Sequence, residues 1–174
     1  MRPAGSLVEF EVLYRAEVGA VTAFFARRER EPETVADLTA DTFMQAMRSL
    51  GTFDGSRGGR RAWLFGIARH VHARHCEQMA HDSDAAERDA SRRVPPQDVL
   101  DDLLERIDAE QPGRELLDRM TDLSQADREA IELVDLAGLS PKEAAAAMGV
   151  SAGALRIRLF RARSRLRGKD THDG

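Results

Sequence analysis

Between Ser140 and Arg167 the chain carries a series of helix starts and stops that leaves room for one local structure. Ser140-Pro141-Lys142-Glu143 places serine at a capping position, proline at the first helical position and glutamate at the third, so that two orphan backbone N–H groups are satisfied reciprocally. A cap of this kind contributes roughly 1 kcal/mol. Gly149 then offers a left-handed stop, and Ser151 caps a further helix that runs to about Arg167. Two helices joined by a Gly-Val-Ser turn form a helix-turn-helix. Leu155, Leu159, Ala162 and Leu166 make one apolar stripe on the second of them, while its other faces carry Arg156, Arg158, Arg161, Arg163, Arg165 and Arg167. No acidic residue lies between Ser151 and Gly168. A recognition helix puts its N-terminal residues against base edges in the major groove, so DNA contact is predicted here; a merely solvated basic face is the bland alternative.

The rest of the chain is predicted to be helical as well, because apolar residues recur at spacings of three and four and almost never alternate as in a strand. Phe10, Leu13, Tyr14, Val18, Val21, Phe24 and Phe25 form one stripe over about residues 7 to 29. Pro32 suits a first helical turn, and Val35, Leu38, Thr42, Phe43, Ala46 and Leu50 continue a second helix that ends in the loop GTFDGSRGG. A third is expected from about Arg60 to Gln78, with Leu64, Ile67, Ala68 and Val71 inward. From about Met79 to Pro96 the apolar period is lost, which reads as a linker. Leu100, Leu103, Leu104 and Ile107 suggest a short helix before Pro112 and Gly113. Ser124, with Asp127 three residues on, caps a helix whose Ile131, Leu133, Val134 and Leu136 precede a stop at Gly138. The fold class is therefore all-α: two small helical domains joined by a flexible acidic linker, the C-terminal one a helix-turn-helix. The expected boundaries are residues 1–79, 80–112 and 113–174.

A net charge of -4 looks unsuited to a DNA-binding chain until it is divided along the sequence. Residues 81–122 hold 6 Lys and Arg against 13 Asp and Glu, whereas residues 140–174 hold 8 against 3. An acidic connector thus precedes a basic end, the asymmetry expected of a nucleic-acid-facing terminus. The connector reads either as a mimic of nucleic acid or as a plain tether. No stretch approaches the roughly 18 apolar residues of a membrane span, and no signal-peptide run opens the chain, so a cytoplasmic location without membrane contact is expected. Cys76 is the sole cysteine, which excludes an internal disulfide and a cysteine-based zinc cluster. His70, His72, His75, Cys76 and His81 raise a metal reading, since His72 and Cys76 share a helical face. Exposed imidazoles on a nucleic-acid-facing helix suffice to explain them, and the expectation is no metal and no cofactor.

Two blocks now carry a resemblance. LSQADREAIELVDLAGLSPKEAAAAMGVSAGALRIRLFRARSRLR resembles region 4 of the extracytoplasmic-function sigma factors, and VADLTADTFMQAM with FDGSRGGRRAWLFGIAR resembles their region 2. The match covers about residues 8 to 78 and 113 to 167. It implies a non-enzymatic protein that binds core RNA polymerase, directs promoter-specific initiation and aids strand opening. Region 2 is implied to meet the polymerase clamp through Asp37, Leu38, Asp41 and Gln45, although Leu38, like Phe43, also suits the domain's own core. Phe53, Asp54, Gly55 and Ser56 match the family's pocket for a base flipped from the -10 element, with Arg69, His70 and Arg74 on the adjoining helix. Such a pocket repays an unstacked base by stacking and hydrogen bonds. The structural alternative for this loop is an ordinary turn between helices. It lacks the Lys-Ser or Lys-Thr pair of a P-loop. Trp63 sits in the motif but is expected in the core. His70 and Arg74 stand where family members commonly have asparagine and an acid, which leaves the -10 bases unassigned. Region 4 is implied to read the -35 element through Arg156, Ile157, Arg158, Phe160 and Arg161. The implied partners are core RNA polymerase and promoter DNA. An anti-sigma protein is compatible with the resemblance, though no residue identifies one.

Two other classes were weighed. A stand-alone helix-turn-helix regulator would ordinarily dimerise on a palindrome, and the chain has no coiled-coil heptad. A hydrolase would need a nucleophile and base, and neither G-x-S-x-G nor H-E-x-x-H occurs.

Overall fold

The structure, a computed structural model, describes residues 4–89, 119–120 and 122–167. Among them every regular element is helical. Three helices form the first unit: α1 (Ala4–Ala26), α2 (Pro32–Ser49) and α3 (Arg60–Asp89). Two short 3-10 turns, Leu50–Thr52 and Gly55–Arg57, join α2 to α3. The second unit contains α4 (Gln125–Ile131), a π turn (Glu132–Leu136), α5 (Pro141–Met148) and α6 (Ala152–Arg167).

Periodicity explains the first core. Leu13, Val21, Phe24 and Phe25 of α1 are buried against Val35, Leu38, Phe43 and Ala46 of α2 and Leu64, Phe65, Ala68 and Val71 of α3. The Phe24 ring meets the edges of Phe25 and Phe65 at centroid distances of 5.2 and 5.8 Å. A fully buried aromatic or branched side chain contributes roughly 1.5–3 kcal/mol, which makes this cluster the main support of the unit. Tyr14 belongs to the same stripe but remains 43% exposed, its ring packed edge-on against Phe43. Thr39 and Thr42 are buried in α2 and satisfy their hydroxyls on the carbonyls one turn back.

One boundary departs from expectation. The stretch read as linker from Met79 is helical as far as Asp89, which lengthens α3 by three turns. Alanine, glutamate and arginine are good helix formers, and neither glycine nor proline interrupts the chain before Pro95. The helix therefore runs on past its last core contact. The remainder of the acidic connector and the helix expected at Leu100–Ile107 lie outside the described residues.

In the second unit the caps form as their sequence dictates. The Ser124 hydroxyl accepts from the Asp127 N–H at 3.2 Å, and Ser151 accepts from Ala154 at 3.1 Å. Ser140 and Glu143 close a reciprocal capping box, with Glu143 N–H donating to Ser140 Oγ and Ser140 N–H to Glu143 Oε2. Burial works to raise the Glu143 carboxyl, but these bonds win and hold it below its ordinary value. Gly149 ends α5 at φ 64°, and the Val150 N–H reaches back to the Ala145 carbonyl, a Schellman closure. After α4 the backbone widens: Ala137 N–H donates to Glu132 O five residues back, before Gly138 turns the chain at φ 70°. Leu133, Leu139, Leu155, Leu159 and Ala162 form the core beneath.

The two units pack on each other through α3 and α5, where small residues allow close approach. A Cβ at Gly58 would lie 3.1 Å from Ala146 Cβ, and one at Gly66 would lie 3.7 Å from the Ala147 carbonyl. No helix among the described residues is long and apolar enough to cross a membrane.

Candidate nucleic-acid interface

α6 is anchored on one side and open on the other. Leu155, Leu159 and Ala162 are at most 4% exposed and fix its rotation, which turns Arg156, Ile157, Phe160 and Arg161 outward. Ile157 is 57% and Phe160 69% exposed. Arg158 is half-buried. Apolar side chains held in water beside arginines suit a surface that meets both base edges and phosphates. Farther along, Arg163 is engaged by Asp135, with Nη2 to Oδ1 at 2.6 Å, a pairing that pushes its pKa up. Arg165 and Arg167 are exposed.

The loop before α3 is a compact turn. Asp54 accepts from the Ser56 N–H at 2.9 Å and from its hydroxyl at 2.8 Å, while Gly58 adopts φ 143°. Phe53 rests on Trp63 at 5.2 Å between ring centroids, so Trp63 lies half-buried against this loop. Phe53, Asp54, Trp63, Arg69 and His70 line a cleft of about 540 Å³, whose opposite wall is Ala146–Gly149 of the second unit. Asp54, Gly55, Ser56, His70 and Arg74 are exposed. Arg74 lies apart from the others, in the groove between α2 and α3.

That groove, of about 410 Å³, is also lined by Asp37, Leu38, Asp41 and Gln45. Asp37 and Asp41 are exposed on α2 and Gln45 is half-buried. Leu38 is only 5% exposed and belongs to the core cluster with Phe43.

Sequence reasoning missed the charges that join the units. Arg69 is held by Glu129, Nη2 to Oε2 at 2.9 Å, and donates to the Ala147 carbonyl at 2.7 Å. Arg61 donates to the carbonyls of Ala137 and Gly138 at 2.6 and 3.0 Å and pairs with Glu17 at 3.0 Å. Arg28 pairs with Glu132, their side chains 12% and 6% exposed. Burial pushes the Glu132 carboxyl up and the Arg28 guanidinium down, in each case against the attraction of the partner. The signal for Glu132 was present in the sequence: a carboxylate embedded in the apolar run Ile131–Val134 needs a partner. Nothing local pointed to Arg28, 104 residues away.

Comparison with known proteins agrees with this layout. The sigma-70 region 2 model matches residues 13–80, and the sigma-70 region 4 model matches residues 113–166. The chain is 35% identical over 134 residues to the ECF RNA polymerase sigma factor SigC of Mycobacterium tuberculosis, covering 75% of this chain and 66% of that protein. It therefore spans slightly less than two thirds of this relative. It is 31% identical over 171 residues to the RNA polymerase sigma factor CarQ of Myxococcus xanthus, covering 94% and 90% of the two chains. Among solved structures it is similar to CnrH in complex with the cytosolic domain of CnrY, at 30% identity and a TM-score of 0.60, covering 95% of this chain and 89% of that one.

Proposed function

This chain belongs to the extracytoplasmic-function sigma factors, and from that membership we propose that it binds core RNA polymerase and directs initiation at selected promoters. The observation that carries the reading is the pairing, in one chain, of an acidic α2 face at Asp37 and Asp41 with a basic, outward-facing start of α6. A stand-alone regulator needs the second surface and has no use for the first. Asp37, Asp41 and Gln45 present charge and polarity to a basic clamp surface; Leu38 supports them from the core. Arg156, Ile157, Arg158, Phe160 and Arg161 read the -35 element. Phe53, Asp54, Gly55 and Ser56 hold a base from the -10 element, with Arg69, His70 and Arg74 along α3. Catalysis belongs to the polymerase, and the chain works in the cytoplasm.

This reading requires the two units to part. Arg69 is occupied by Glu129 and Ala147, and α5 forms one wall of the Phe53–His70 cleft, so a flipped base reaches it only after α5 moves away. On this reading the connector starts beyond Asp89 rather than at residue 80. CnrH was solved in complex with the cytosolic domain of CnrY, and an anti-sigma protein is a partner of this chain on the same reading.

Transcription from genomic fragments by core polymerase, with and without the full chain, tests the proposal. Initiation at discrete sites only when the chain is present is expected. Start sites unchanged by the chain, together with tight operator binding by the chain alone, would favour a stand-alone regulator.

A further inference from the structure

Three side chains with metal-ligating atoms converge at the end of α1, and a fourth lies beside them. Glu29 follows α1, where its N–H donates to the Phe25 carbonyl at 2.9 Å. Its Oε1 lies 2.9 Å from His72 Nε2 and its Oε2 lies 3.6 Å from His75 Nε2. Cys76, one turn beyond His72, places Sγ 3.7 Å from His72 Nε2 and 3.8 Å from Nδ1. Glu29, His72 and Cys76 can each present a ligand atom within 4.8 Å of the other two. The sequence showed the His72 and Cys76 spacing, and the histidines read as exposed imidazoles on a nucleic-acid-facing helix; the fold adds a carboxylate from 43 residues away and places His75 beside it.

We propose that Glu29, His72, His75 and Cys76 form a binding site for a divalent cation of the zinc class. The donor set selects the metal: a thiolate with imidazoles favours zinc, cobalt or copper over the hard cations magnesium and calcium, which prefer all-oxygen shells. Distances select the geometry. Zn–S near 2.3 Å and Zn–N near 2.0–2.1 Å in a tetrahedron put sulfur and nitrogen about 3.6 Å apart, close to the Cys76–His72 separation. The Glu29–His72 hydrogen bond must open by about half an ångström on the same geometry, and His75, which lies outside the set of three within 4.8 Å, must swing in as the fourth ligand. Three of the four side chains are partly buried, while Cys76 opens the site to solvent. His72 and Glu29 are 20% and 19% exposed, His75 is 22% exposed, and the His72 ring leans on buried Phe25. Ligation by Cys76 requires the thiolate, so its proton leaves to solvent when the cation binds. Glu29 would then tie the end of α1 to the middle of α3. Because His75 also lines the Asp37 and Asp41 groove, a bound cation would add positive charge beneath that acidic face. That consequence rests on the polymerase reading; the site itself does not.

The test is titration of the reduced full-length chain with Co²⁺, followed by displacement with Zn²⁺. Expected are one equivalent of cobalt, the intense visible bands of a tetrahedral ion, a thiolate-to-cobalt charge-transfer band and loss of all of them on adding zinc. Cys76→Ser should abolish the charge-transfer band, and Glu29→Gln or His75→Ala should weaken cobalt binding at least tenfold, whereas His70→Ala and His81→Ala should change nothing. Cys76 is exposed, so Cys76→Ser tests the site without threatening the core. A weak six-coordinate spectrum, or binding that survives in all three ligand variants, would overturn the proposal whatever the transcription assay gives. Core-polymerase binding with and without zinc then tests the consequence separately.

Discussion

Glu129→Ala should increase the affinity of the isolated chain for single-stranded -10 DNA, although Glu129 is assigned no contact with it. In the packed arrangement Glu129 accepts from two N–H groups of Arg69, whose third contact is the Ala147 carbonyl. Both side chains are about one-fifth exposed, so the pair is partly shielded from solvent. Hydrogen bonds to charged groups contribute about 1.5–3 kcal/mol. The Ala147 bond survives the substitution, so the lower end of that range applies, and at 1.4 kcal/mol per factor of ten the equilibrium between packed and parted units shifts about tenfold. If the packed form dominates, DNA affinity rises by the same factor. Fluorescence anisotropy with a labelled strand from a promoter mapped in the transcription assay measures it, and small-angle scattering of the same samples reports the accompanying expansion. Arg69→Ala is the counterpart: it releases the same contact but removes a proposed DNA ligand, so expansion should come without the gain in affinity. A Glu129→Ala protein that is as compact as the parent and binds DNA no better would refute the argument.

Four further outcomes follow from the packing and the surfaces. Replacing both Arg28 and Glu132 by apolar residues (Arg28→Met with Glu132→Leu) should leave thermal stability unchanged or raise it by up to about 4 kcal/mol, because burial already opposes both charges. The Glu132 carboxyl is raised above its ordinary value in the fold, so its contribution to stability is fully present below the ordinary carboxylate range and is lost as pH rises through the raised value; the parent minus Glu132→Gln difference in melting temperature should follow that course. Asp37→Lys with Asp41→Lys should weaken core-polymerase binding in a competition assay while shifting stability by no more than about 1 kcal/mol, since both acids are exposed. In selection from randomised -35 sites, Arg156→Ala should relax preference at one or two positions, a loss of about 1–3 kcal/mol of discrimination, whereas Arg165→Ala should weaken all sites alike and lower the salt slope by about one; unchanged base preference in Arg156→Ala would dismiss its role.

The sequence disclosed what is local. The caps at Ser124, Ser140 and Ser151 and the stops at Gly138 and Gly149 are short-range chemistry, and each stands where its neighbours dictate. Apolar spacing likewise disclosed the core of α1, α2 and α3. It failed at residues 79–89, where helix formers continue a helix without an apolar stripe, because a stripe reports burial and not helicity. It also failed wherever function depends on separation in the chain. Arg69 reads as a basic residue on a DNA-facing helix, and only the fold puts Glu129, 60 residues on, against it. His72 and Cys76 were visible as a pair, but Glu29 joins them only through the packing of α1 on α3.

Ile157 and Phe160, held out in water on a helix otherwise rich in arginine, would give the proposed DNA-facing surface two components that respond differently to ionic strength. Arginine–phosphate contacts form on any duplex, and salt weakens each of them as counterions compete for the phosphates. Contact between an apolar side chain and a thymine methyl is made only on the right sequence and releases no counterion. Where both complexes make the same phosphate contacts, raising salt therefore weakens specific and non-specific binding alike and leaves their ratio, set by the apolar contacts, unchanged. A chain with this surface would hold its target less tightly in a concentrated cytoplasm without losing its preference for it.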